Sequence, residues 1–246
     1  MALKIRSNLD ELLAEKKHRP FDYPYEPWAY YQEWNKVLFL HWKLPVETLR
    51  KLVPSKLILD TFHGDAYVSL VAFTMQKARP EYLPAIKCIS DFGELNIRTY
   101  VEMENKKGVY FLNIEAEKTL SALLAKTMSG LPYEKSDIQK SGFLYKNHNK
   151  KKGFYLETEF EPKDQITNKS ELDKWLTERY CLYLEDGDGI FRYDIHHREW
   201  DLQNVEIKQL KLHYRIGDME LTNSPNFVHY SKGVQVLAWK RTRLFL

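Results

Sequence analysis

Glu94, Asn96 and Arg98 occupy alternate positions of the run ELNIRTYVEM. Alternate residues of a strand share one face, about 6.6 Å apart, so a carboxylate, an amide and a guanidinium would stand in a row. Lining a pocket, the row could bind and orient a small anion; on an open antiparallel sheet it would be a solvated face. Lys126 lies among Ala122, Leu123, Leu124 and Ala125. A lysine desolvated by such neighbours can lose its proton near neutrality and form a Schiff base with a carbonyl compound, whereas in the last turn of a helix it ordinarily complements the macrodipole. His196 and His197 are adjacent, so in a strand they point to opposite faces and cannot chelate one metal together. His197 shares parity with Phe191, Tyr193 and Ile195, which makes it the candidate cavity acid or base, against the plain alternative of a hydrogen-bonded core histidine. Glu178 and Arg179 adjoin a helix-to-strand junction, where a buried charge pair could orient a ligand-binding group or cap the junction. No metal site and no cofactor is expected.

These residues need elements to hold them. Leu172 to Trp200 divides into a helix end, a strand, the EDGDG turn at 185–189 and a second strand. Ser170 with Asp173 forms a capping box ahead of that helix. VLFLHW (Val37 to Trp42) has the apolar continuity of a buried strand, and Pro45 to Pro54 that of a short helix bounded by prolines. KLILDT and AYVSLVAFTM flank the His63-Gly64-Asp65 turn and are expected to pair as a hairpin. Thr119 to Ser129 is the clearest internal helix, closed by Gly130 and Pro132. SGFLYKN and GFYLETEFEP should form a hairpin with a basic tip, its lysines solvated. Parity slips near Gln209, which predicts a β-bulge, and FVHYSKGVQVLAWKR closes the chain as one long or two short strands. At the other end Leu9, Leu12 and Leu13 mark one face of a helix with Asn8 as its N-cap, and PFDYPYEPWAYYQEW runs extended.

Composition narrows the class. With 37 Lys+Arg against 34 Asp+Glu the net charge is +3, and both signs are interspersed, so no footprint for nucleic acid stands out. Aromatic residues make up 14%, including 16 Tyr, a bias toward strands and cavity walls. No apolar run approaches the roughly 18 residues of a membrane span. The opening MALKIRSNLDELLAEKK lacks the apolar core of a signal peptide, which points to the cytoplasm. Cys88 and Cys181 are the only two cysteines, and a reducing compartment with two free, mostly buried thiols is the expectation.

Taken in order, WNKVLFLHW, ELNIRTYV, GVYFLNIEA, GLPY, ERYCLY, HHREW and VHYSKGVQVLAW resemble the YqjF-like, or DUF2071, family of bacterial proteins, from about Trp34 to Trp239. The resemblance implies the acetoacetate decarboxylase-like superfamily: a cone-shaped, largely antiparallel β-barrel with an internal cavity and a few short helices. ETLRKLVPSKLILD is similar to a segment near the start of acetoacetate decarboxylases themselves. Those enzymes form an imine on a cavity lysine whose pKa is lowered by a second, adjacent lysine. Lys126 stands near the matching place, but Thr127 follows it and the lysine pair is absent. Glu94 matches the cavity carboxylate of the decarboxylases.

The expectation is therefore an α+β, mainly antiparallel β-barrel at 34–246, preceded by a helix and extended segment at 1–33. Its ligand is a small carboxylate or carbonyl compound held by Arg98, Asn96, Glu178 and Arg179. Lyase- or hydratase-type chemistry would fall to Lys126, Glu94 and His197. The alternatives are a non-catalytic small-molecule-binding protein, or a subunit-interaction protein, with a homo-oligomer open to either.

Overall fold

The computed structural model describes residues 2–118, 131–187 and 189–244. Their elements are α1 (Ala2–Ala14), β1 (Tyr30–Leu44), α2 (Val46–Arg50), β2 (Ile58–Leu59), β3 (Ala66–Pro80), α3 (Lys87–Ser90), β4 (Phe92–Met103) and β5 (Lys106–Ala116). There follow β6 (Tyr133–Lys135), β7 (Asp137–Ser141), β8 (Leu144–Asn149), β9 (Phe154–Gln165), α4 (Glu171–Thr177), β10 (Cys181–Asp186) and β11 (Gly189–His196). The last four are β12 (Gln203–Ile216), β13 (Met219–Leu221), β14 (Phe227–Ala238) and β15 (Thr242–Leu244). The expected helix at 119–129 lies outside the described residues.

Strand β1 pairs antiparallel with β14 on one side and with β3 on the other, and β3 continues through β4 to β5. β5 meets β10 in parallel, and β10 turns into β11. Ile195 and His196 of β11 then pair with Ala238 and Leu237 of β14, which closes β1, β3, β4, β5, β10, β11 and β14 into a ring. From β14 the sheet runs on through β12, β9, β8 and β7 and packs against the outside of the ring.

Double burial explains the unbroken apolar character of VLFLHW. Leu38, Leu40 and Trp42 point outward into a core shared with Leu70, Leu95, Ile97, Tyr145, Phe154, Leu156, Leu212 and Tyr214. Val37 and Phe39 point inward beside Val71, Phe73, Phe92 and Trp200. A strand buried on both faces cannot show alternation of apolar and polar residues, because neither face meets water. At Gly233, φ is +138° and a Cβ would lie 2.3 Å from the Trp34 carbonyl oxygen, so only glycine fits where β14 crosses β1.

The capping box of α4 is formed, Ser170 Oγ accepting from the Asp173 N–H while Asp173 Oδ2 accepts from the Ser170 N–H. The β12–β9 register shifts between Ile207 and Gln209, where the parity slip predicted a bulge. Three expectations are corrected. β2 pairs with β4, not β3, and only an isolated Phe62–Asp65 bridge spans the His63-Gly64 turn, because β4 already occupies that edge of β3. α1 begins at Ala2 and Asn8 is interior to it; ALKIRS holds no glycine or proline to stop the helix. Cys88 is exposed, on the short α3, whereas Cys181 is buried. β1 starts at Tyr30, so the last residues of the 1–33 segment belong to the ring.

Candidate functional site

Glu94, Asn96 and Arg98 project from β4 into the interior of the ring, where they line a cavity of about 430 Å³. Phe73, Val71 and Ser69 of β3 stand opposite them in register. Trp34, Phe39, Tyr133 and Trp200 complete walls that are otherwise mostly apolar. The row is therefore not a solvated face.

Glu94 Oε2 accepts from the Tyr133 hydroxyl at 3.0 Å, and Oε1 accepts from Asn96 Nδ2 at 3.4 Å. Burial pushes its carboxyl up to about 7, against the pull of those two hydrogen bonds and of Lys140. A carboxyl so placed exchanges a proton near neutrality, which suits a general acid or base. Arg98 is also buried, with its guanidinium 5.7 Å from the centre of the Phe39 ring. Its Nε and Nη2 have no hydrogen-bond partner among the described residues, nor has Asn96 Oδ1. Burial lowers its pKa from the ordinary arginine value, with the Tyr100 hydroxyl opposing.

Below Arg98 the same face continues into a polar chain. Ser69 Oγ lies 2.5 Å from the Tyr100 hydroxyl and 2.6 Å from His41 Nδ1. His41 Nε2 lies 3.2 Å from His229 Nδ1, and His229 Nε2 lies 2.9 Å from Asp173 Oδ1. α4 closes this end of the ring, with Trp175 against Tyr100 and the Leu176 carbonyl accepting from the Tyr100 hydroxyl at 2.9 Å.

The other sequence-derived residues lie apart. His197 follows the end of β11, so strand parity no longer governs it; it packs against Tyr180 and Trp200, its Nδ1 is 2.6 Å from the Arg198 carbonyl, and it does not line the cavity. Glu178 and Arg179 are not paired with each other. Glu178 accepts from Lys169 at 2.9 Å, from Tyr180 at 2.6 Å and from the Trp200 N–H at 3.0 Å. Arg179 donates to Asp60 at 2.7 Å and to the Trp175 carbonyl at 2.7 Å. Both clamp α4 to the ring instead of reaching the cavity. Lys126 lies outside the described residues.

Sequence reasoning passed over Trp34, Trp200 and Tyr133 as wall residues and His41 and His229 as a buried pair. A histidine at alternate spacing from Val37 and Phe39 in an apolar strand was the available signal for the first of that pair. Lys140 was also missed. Burial lowers its amine to about 7, but it donates to Thr74 at 3.1 Å and sits over the Tyr145 ring, on the outer face of β3. Among the described residues, no group of three or more His, Cys, Asp and Glu could hold a metal ion, and no helix is long and apolar enough to cross a membrane.

The fold has solved counterparts. An acetoacetate decarboxylase superposes with a TM-score of 0.61 at 12% identity, over 96% of this chain and 97% of that one. The enduracididine biosynthesis enzyme MppR, complexed with pyruvate, superposes with a TM-score of 0.59 at 10% identity, over 92% and 93%. The fold is acetoacetate decarboxylase-like, mainly antiparallel with a few short helices. Within it, residues 31–235 match DUF2071, described as an uncharacterized conserved protein, and the chain belongs to that family. It is 38% identical over 221 residues to the uncharacterized protein YqjF of Bacillus subtilis (strain 168), covering 86% of this chain and 91% of that one.

Proposed function

We propose that the ring cavity binds a small organic carboxylate, with the carboxylate group on Arg98 and the apolar body between Trp34, Phe39, Phe73 and Trp200. One observation carries this: Arg98 lines the cavity, and two N–H-bearing atoms of its buried guanidinium have no hydrogen-bond partner among the described residues. A buried donor left unsatisfied costs about 1–3 kcal/mol, and a carboxylate accepting from both would remove that penalty with matched charge. The names of the structural neighbours agree in chemical class, since acetoacetate and pyruvate are both oxo-carboxylates. A carbonyl on such a ligand would come within the reach of Glu94, whose proton exchange near neutrality suits lyase- or hydratase-type steps. Lys126 is the amine proposed for any imine, formed by its addition to the carbonyl with loss of water. We place the protein in the cytoplasm, as a domain at 34–246 whose N-terminal extension, 1–33, joins it through the first residues of β1.

A second reading, binding without turnover, draws support from the walls: among the described lining residues, Glu94 is the one carboxylate. Calorimetric titration with pyruvate, acetoacetate and aromatic carboxylates, on wild type and Arg98→Met, tests the first claim. Arg98-dependent binding is expected; binding that survives the substitution, or none across the panel, removes it. Borohydride trapping read by intact mass then divides the two readings. An adduct lost in Lys126→Ala establishes the imine, and no adduct alongside tight binding leaves Glu94 chemistry or simple binding.

A further inference from the structure

Ser69, His41, His229 and Asp173 have the order of a nucleophile, a base and its orienting acid, yet Ser69 and His41 are fully buried and neither lines the cavity. No substrate reaches that hydroxyl, so the chain cannot work by nucleophilic attack. What it can do is hold protons in two ways. With both imidazoles neutral, Tyr100 donates to Ser69, Ser69 to His41 Nδ1, His41 Nε2–H to His229 Nδ1, and His229 Nε2–H to Asp173. Add one proton to His229 and three of these bonds must reverse. His229 Nδ1–H then donates to His41 Nε2, His41 Nδ1–H to Ser69, and Ser69 to Tyr100, whose hydroxyl is released to the Leu176 carbonyl. Both arrangements use the same distances, and the second includes the Tyr100–Leu176 contact.

We propose that Asp173, His229, His41, Ser69 and Tyr100 form a one-proton switch linking the Asp173 flank of α4 to the Arg98 end of the cavity. Four mobile protons occupy the chain in one state and five in the other, the fifth coming from solvent. Asp173, with its side chain 18% exposed, gives the entry. The charged and titratable groups around the chain are Asp173 from α4, Arg98 and Tyr100 from β4, and Arg179, itself paired with Asp60. Burial, His229 and Arg98 hold His41 well below the ordinary histidine value; burial lowers His229 as well, but Asp173, 2.9 Å from its Nε2, opposes that effect, so the added proton resides on His229. An anion seated on Arg98 offsets its charge and favours the five-proton state. That last link rests on the cavity function proposed above; the switch itself does not.

Nitrogen-15 NMR of the histidine rings in the full chain, followed against pH, tests it. The expected result is that His41 exchanges an Nε2 proton for an Nδ1 proton as His229 becomes cationic, with the midpoint lowered in Asp173→Asn and raised in Arg98→Met. A His41 ring that keeps the same protonated nitrogen down to the onset of acid unfolding overturns the switch, and this readout needs no variant to fold. Added pyruvate should raise the wild-type midpoint and leave Arg98→Met unmoved. Tautomer exchange with no response to pyruvate upholds the switch and removes its link to anion binding.

Discussion

Two buried polar groups stand on opposite faces of the same pair of strands. Glu94 of β4 faces into the ring; Glu115 of β5, paired with Leu95, faces out toward the second sheet. Burial raises the pKa of both. Glu115 accepts from Asn149 at 2.7 Å, closely from Asn147, and from the Tyr214 hydroxyl at 3.5 Å, so its partners come from β8 and β12. Beside Glu94 the chain supplies two donors, whereas Arg98 lines the cavity of about 430 Å³ with no carboxylate paired to it among the described residues. The contrast teaches that burial and charge do not distinguish a structural network from a binding site. What distinguishes them is whether the chain itself supplies the partners.

The largest expected effect lies on the outer face. Glu115→Ala strips the acceptor from Asn147, Asn149 and Tyr214 and should destabilise the protein by about 3 kcal/mol in urea denaturation. A loss under about 1 kcal/mol would erase the contrast. Arg98→Met is expected to lower carboxylate affinity at least about tenfold, roughly 1.4 kcal/mol by calorimetry, while leaving stability unchanged or up to about 1 kcal/mol higher, since it removes a buried charge that has no ion-pair partner among the described residues.

Titration comes next. The raised pKa of Glu94 means that its protonated form is favoured by the fold, so its contribution to stability is fully present below the unfolded value and is lost as pH rises through about 7. Infrared difference spectra should show a protonated carboxyl band disappearing around that pH, and Glu94→Gln should abolish the change and flatten the stability profile there. The smallest effect is that of Tyr133→Phe. Removing this donor to the carboxylate should move the same infrared midpoint upward, by less than about one pH unit. A downward shift would show that the hydroxyl does not favour the charged form.

Much of this architecture could be read in the chain. The alternation of ELNIRTYVEM placed Glu94, Asn96 and Arg98 on one face, the parity slip near Gln209 located a bulge, and Ser170 with Asp173 located a helix start. Each is a local signal, set by residues within one or two turns or pleats. The failures are non-local. His197 was assigned a face by extending strand parity one residue past the end of β11. Glu178 and Arg179 look like a pair in sequence, but their carboxylate and guanidinium find Lys169, nine residues away, and Asp60, 119 residues away. KLILDT had a suitable turn beside it, yet β4 competed successfully for β3.

The sequence by itself determined the strand periodicity, the shared face of the three polar residues on β4, and the family to which the chain belongs. Tertiary structure decided whether that face meets water, and it did so through the pairing of Ile195 and His196 with Ala238 and Leu237, more than forty residues on. The pairing of β1 with β14 put His41 beside His229, 188 residues apart. Alternation says which side chains point together, because it follows from the geometry of one strand. Enclosure depends on which strand ends meet, and that is settled by burial summed over the whole ring.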